Sequence, residues 1–154
     1  MDINERIREL GLTLPEPAPV GGIYTPVRQS GRQLYVSGQG PTVAGKPAFT
    51  GKVGGELTIE QGQEAARLCA LNLLAAVKKY TGDLNRVEGV VKVLALVASA
   101  PEFGSQPAVV NAASQLLVDV FGEKGWHARS AMGTNELPGN IPVEIEAIFE
   151  LRDE

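Results

Sequence analysis

The chain predicts an α+β fold, with helices gathered on one face of a mixed sheet. Three observations carry that expectation. The run Val143-Glu144-Ile145-Glu146-Ala147-Ile148 alternates apolar and acidic residues, the pattern of a strand with one dry and one wet face. Thr58-Ile59-Glu60-Gln61 forms a capping box ahead of small and apolar residues at helical spacing. Val87 to Val97 is apolar almost without interruption, as in a strand buried on both sides.

Each element follows from local chemistry. Asp2-Ile3-Asn4-Glu5 opens a short helix with Ile3, Ile7 and Leu10 on one side, and Gly11 ends it. Leu14 to Val20 carries Pro15, Pro17 and Pro19, which forces an extended tether. Residues 1–20 are therefore expected as a helix and tether preceding the body of one domain, 1–154. Ile23 to Ser30 and Gln33 to Ser37 read as two strands around the turn Ser30-Gly31-Arg32. Gly38 to Glu56 is dense in Gly and Pro and reads as a long loop, a kind that is commonly functional or mobile.

The helix opened by Thr58 brings Ala65, Leu68, Cys69, Asn72, Leu73 and Ala76 onto one side. Lys78 and Lys79 suit its last turn, and Gly82 stops it. A second helix runs from about Pro107 to Val120, closed by Gly122. Short strands containing Arg129 and Glu144 complete the chain and are expected to lie side by side. Two helices then cover one sheet face. The apolar Val90–Val97 strand leaves the other face bare, and a second subunit is the expected cover.

Composition narrows the function. A 154-residue chain with 44% hydrophobic and 21% charged residues is ordinary for one globular domain that buries roughly two-thirds of its unfolded surface. The net charge of −4, without a basic block, disfavours a nucleic-acid partner. The single cysteine, Cys69, lies in an apolar helical stretch and reads as a small buried hydrophobe. MDINERIREL is charged throughout, and the apolar stretch Val87–Ala100 is too short to span a bilayer. No membrane partner and a cytoplasmic location are the expectation.

Several motifs are weak. Gly40-Pro41-Thr42-Val43-Ala44-Gly45-Lys46 resembles a phosphate-binding loop, but Pro47 stands where Ser or Thr should hold Mg²⁺ and no helix follows. One His and one Cys give no metal-ligand set. His127 is a loop residue or a general acid or base; no G-x-S-x-G elbow places it in a serine triad. Arg129 and Glu144 carry more. A fixed guanidinium can hold an anion while a carboxylate handles water or protons. The alternative is an Arg–Glu ion pair on a solvated sheet face.

Tyr35-Val36-Ser37-Gly38-Gln39, Val90-Val91-Lys92-Val93, Phe103 to Phe121 with Asn111 inside, and Ala128-Arg129-Ser130 followed by Glu144-Ile145-Glu146-Ala147 together resemble the Rid family, also called YjgF. Older usage labels it "endoribonuclease L-PSP". Gly22-Ile23-Tyr24 stands where the family usually has Gly-Pro-Tyr, His127 where Pro is common, and Ala131 where active members often have Cys. The pattern is that of a divergent subgroup.

The resemblance implies a chorismate-mutase-like sheet, a homotrimer with a central barrel, and sites in clefts between subunits. It also implies hydrolysis of 2-aminoacrylate-type enamines and imines to 2-keto acid and ammonia, needing neither cofactor nor metal. On that implication Arg129 clamps the substrate carboxylate and Glu144 positions water. Tyr24, Ser37, Gly38 and Ala131, the last through its carbonyl, line the pocket. Asn111 either braces the site or satisfies a buried backbone group. The alternatives are a non-catalytic trimer that binds small carboxylic acids and, with less support, a ribonuclease.

Overall fold

The computed structural model describes residues 1–153. Helix α1 (Ile3–Glu9) is capped by Asp2, whose side chain accepts from the amides of Asn4 and Glu5. Strands β1 (Val27–Ser30) and β2 (Gln33–Gln39) form a hairpin in which Gly31 takes a positive φ. A small hairpin, β3 (Thr42–Val43) and β4 (Lys46–Pro47), follows. Helix α2 (Ile59–Thr81) starts at the Thr58–Gln61 capping box and ends at left-handed Gly82. Strand β5 (Val87–Ala98), helix α3 (Gln106–Phe121), strand β6 (Ala128–Thr134) and strand β7 (Val143–Leu151) complete the chain.

The five long strands form one mixed sheet in the order β1-β2-β7-β5-β6. Only β5 and β6 run parallel, as the α3 crossover between them requires. Period-two alternation sets the two faces. Leu34, Val36, Val93, Ala95, Val97, Ile145, Ala147 and Phe149 are buried beneath α2 and α3. Phe149 meets Phe121 edge to face at 6.3 Å between ring centroids. Lys92, Leu94, Leu96, Glu144, Glu146 and Ile148 alternate with these buried residues and face away from the helices. Cys69 is fully buried, and burial pushes its thiol well above the ordinary range.

The structure corrects four expectations. First, the strands of Arg129 and Glu144 are not neighbours: β5 lies between them, because the long amphipathic β7 pairs on both edges, with β2 and β5. Second, the first strand begins only at Val27, since Pro26 has no N–H for the ladder; Ile23 and Tyr24 sit in an exposed turn. Third, three helices pack rather than two: α1 buries Ile3 and Ile7 against α3, and Arg6 Nε donates to the Asp119 carbonyl.

Fourth, the 38–56 segment is well anchored. Val53 is fully buried, its N–H donates to the Ala98 carbonyl and its carbonyl accepts from Ala100. The phosphate-loop-like residues form the β3–β4 hairpin, turned at Ala44 and Gly45, both with positive φ. Asn72 holds this segment to α2. Its Nδ2 donates to the carbonyls of Gly40 (3.1 Å), Thr42 (3.0 Å) and Leu68 (3.1 Å) from a buried position. Asn72→Ala should cost about 2 kcal/mol, because the part-buried Gly40 and Thr42 carbonyls lose their partner. Urea unfolding measures the loss, and limited proteolysis should show faster cutting within residues 40–56.

Candidate active site

The sheet sorts the sequence-predicted residues into two groups, one on edge strand β6 and one around β2 and the central strand β7. Arg129 pairs in register with Val93, so it points to the helix side of edge strand β6. There Nη1 donates to Asn111 Oδ1 at 2.8 Å and to Ser114 Oγ at 3.1 Å, both on α3. Asn111 and Ser114 stand three residues apart and so share one helix face. Ala131 lies on the same strand, two residues on, with its side chain partly buried against the core. Asn111 is exposed and braces Arg129, so it is not a buried residue satisfying backbone. Asn72 plays that part instead.

The second group gathers around β2. Ser37 Oγ donates to the Thr25 carbonyl at 2.8 Å and the Ser37 N–H to the Pro26 carbonyl, which ties the Tyr24 turn to the sheet. Tyr24 itself is 55% exposed. Gly38 sits where β2 slips register against β7. A Cβ there would lie 3.0 Å from the Glu144 carboxyl, so any larger residue crowds the carboxylate out of this position. Glu144, opposite Leu96, points from the open face.

Within one copy these groups do not meet. Three strand spacings, about 14 Å, separate β2 from β6, and Arg129 and Glu144 point to opposite sheet faces. The ion-pair alternative is thereby excluded inside the chain. Among the described residues no carboxylate pairs with Arg129, and no hydrogen bond or ion pair reaches Glu144. Desolvation, then the charge of Glu146, raises Glu144 above the ordinary carboxylate range.

Two residues near Arg129 carry roles that the sequence left unread. His127 is not a free loop residue: its Nδ1 lies 2.7 Å from the Gly125 carbonyl and its Nε2 lies 2.9 Å from Ser114 Oγ. The signal for Ser114 was its position three residues after Asn111. A cleft of about 360 Å³ opens here, lined by Asn111, Ser114, Val118, Trp126, His127 and Arg129 among others. A larger hollow of about 560 Å³ lies between the tether and the end of α2. It contains none of the candidate site residues.

Residues 4–149 match the family model described as "YjgF/chorismate_mutase-like, putative endoribonuclease". The chain belongs to the YjgF, or Rid, family. Protein TCP17 of Trypanosoma cruzi is 43% identical over 148 residues, covering 96% of this chain and 92% of that protein. Atu1372 of Agrobacterium tumefaciens, a crystal structure of unknown function, is 48% identical with a TM-score of 0.88 over 97% of this chain and 91% of that one. A crystal structure described as a putative endoribonuclease from Shewanella oneidensis MR-1 is 32% identical, with a TM-score of 0.94 over 98% and 100% of the two chains. The Rid-type fold, with its helices on one side of a mixed sheet, is thus shared along nearly the whole chain.

Proposed function

We propose that this Rid protein assembles as a homotrimer and hydrolyses small 2-imino and enamino acids to 2-keto acids and ammonia. The observation that carries the reading is Arg129: a half-buried guanidinium held by two neutral acceptors, with no carboxylate partner among the described residues. Such a group presents its remaining N–H donors to an incoming anion, and its planar fork suits a carboxylate.

Apolar surface supports the assembly. Leu94, Leu96 and Ile148 are left half-buried on the open sheet face, and Met132 is 48% exposed. A head-to-tail ring of three copies covers that face as a central barrel and sets the Arg129 edge of one copy against the Tyr24–Ser37–Gly38–Glu144 group of the next. Arg129 then clamps the substrate carboxylate, while Glu144 takes a proton from a water that attacks the imine carbon. As the C–O bond forms, Glu144 passes that proton to the imine nitrogen, giving a carbinolamine. Glu144 then takes the hydroxyl proton and hands it to the amine; the carbonyl forms as the C–N bond breaks, releasing ammonia and leaving the keto acid. Each turnover consumes one water and needs no oxidant or cofactor.

The test is a coupled assay in which an amino-acid dehydratase or oxidase generates 2-aminoacrylate and larger imines. Faster keto-acid release with wild type than with Arg129→Ala supports the reading. No acceleration with any imine, but binding of 2-oxobutyrate at Arg129, leaves a carboxylate-binding trimer without turnover. The ribonuclease label of the relatives finds little support in a chain of net charge −4.

A pH prediction follows from the raised Glu144. Glu144 acts as a base only when ionised, so the acid limb of kcat should lie above the ordinary glutamate range. Glu146→Gln removes the neighbouring charge and should move that limb to lower pH. A limb unmoved by this change would assign it to another group.

A further inference from the structure

The bonds around His127 form a directed chain. A carbonyl oxygen can only accept, so the 2.7 Å contact to the Gly125 carbonyl requires Nδ1 to carry the proton. In a neutral ring Nε2 is then an acceptor, and the Ser114 hydroxyl must donate to it across 2.9 Å. With its proton so committed, Ser114 Oγ turns a lone pair to Arg129 Nη1, at 3.1 Å. The neutral state agrees with the surroundings: burial, and secondarily the charge of Arg129, push the imidazolium down against the opposing bond to Gly125.

The start of the chain is rigidly placed. The turn Gly122–Gly125 presses on α3 so closely that a Cβ on Gly125 would lie 2.4 Å from the Leu117 carbonyl oxygen. The Gly125 carbonyl is thus fixed relative to the helix that also bears Asn111 and Ser114. Of these two acceptors for Nη1, only Ser114 depends on a third group for its direction. Asn111 accepts through its amide oxygen, which carries no proton that a third group must draw away.

We propose that Ser114 and His127 form a positioning relay that fixes the Arg129 guanidinium for its carboxylate ligand. Neither residue needs to touch the substrate. His127 sets the Ser114 rotor, and the rotor sets Nη1, so the other donors of Arg129 face the cleft in one orientation. The inference rests on the reading of Arg129 as a carboxylate clamp.

The protein has one histidine, so long-range ¹H–¹⁵N spectra of the uniformly labelled full chain report His127 alone. At neutral pH the Nδ1-protonated tautomer is expected, and Ser114→Ala should shift the Nε2 resonance. An Nε2-protonated ring overturns the relay. Calorimetric titration with 2-oxobutyrate gives the second arm. Ser114→Ala should weaken binding about tenfold with an unchanged thermal midpoint, and Ser114→Thr should restore it to within about twofold. His127→Ala should weaken it by a similar factor, and the double variant no further, since the two act as one unit.

Equal loss in the Ala and Thr variants, fully additive losses, or no loss in Ser114→Ala would each overturn the relay while leaving the clamp in place. A wild type that binds no 2-oxobutyrate removes the clamp itself, and the relay with it. The two failures are thereby told apart.

Discussion

Arg129→Lys should lower kcat/KM for 2-aminoacrylate about 100-fold or more and weaken 2-oxobutyrate binding by a comparable factor. An ammonium keeps the charge but cannot make two parallel N–H bonds to a carboxylate while also bonding Asn111 and Ser114. Arg129 is only half-buried on an edge strand, so its loss leaves the core untouched. Native mass and thermal midpoint should therefore match wild type. A fully active Arg129→Lys would mean that the site needs only a positive charge, and the clamp would be wrong.

Glu144→Gln is the second large effect, and it should separate differently. Loss of a general base costs on the order of 100-fold in kcat, while KM and 2-oxobutyrate affinity should stay within about threefold. Its stability effect has a definite sign. A carboxylate whose folded pKa is raised favours folding when protonated, and that contribution is lost as pH rises through the folded pKa. At neutral pH the charge is thus a burden on the native state, and glutamine should not destabilise it. Equal loss of binding and turnover, together with a fall in stability, would make Glu144 a structural group instead.

The fold was largely legible because its strongest signals are local. The Thr58–Gln61 box, left-handed Gly82 and the alternation of β7 each act within a few residues, and each stands where its chemistry puts it. Pairing order is not local. Nothing in residues 128–148 says that β5 will slip between β6 and β7; that follows from the helical crossover and from β7 serving two partners.

The site shows the same division. Arg129, Glu144 and Asn111 could be singled out by residue type, but the placing of Arg129 on the helix side of an edge strand and of Glu144 on the open face of the central strand needed the sheet. His127 reads from the sequence only as a loop residue or a general acid or base, and its pairing with Ser114 is not legible there, because a hydroxyl and an imidazole thirteen positions apart carry no sequence period. Only the turn at Gly125 brings them together. Asn72 likewise looks, in the sequence, like one more residue on a helix face, whereas it ties three backbone carbonyls.

The central claim is that Arg129 of one copy works with Glu144 of another. Subunit mixing tests it most directly: Arg129→Ala and Glu144→Ala variants, each inactive alone, are unfolded together, refolded in equal amounts and assayed with 2-aminoacrylate. Heterologous contacts in a three-membered ring give about one quarter of the clefts an intact arginine and an intact glutamate, so about one quarter of wild-type turnover should return. No recovery in a refolded mixture of trimeric mass would contradict the shared site.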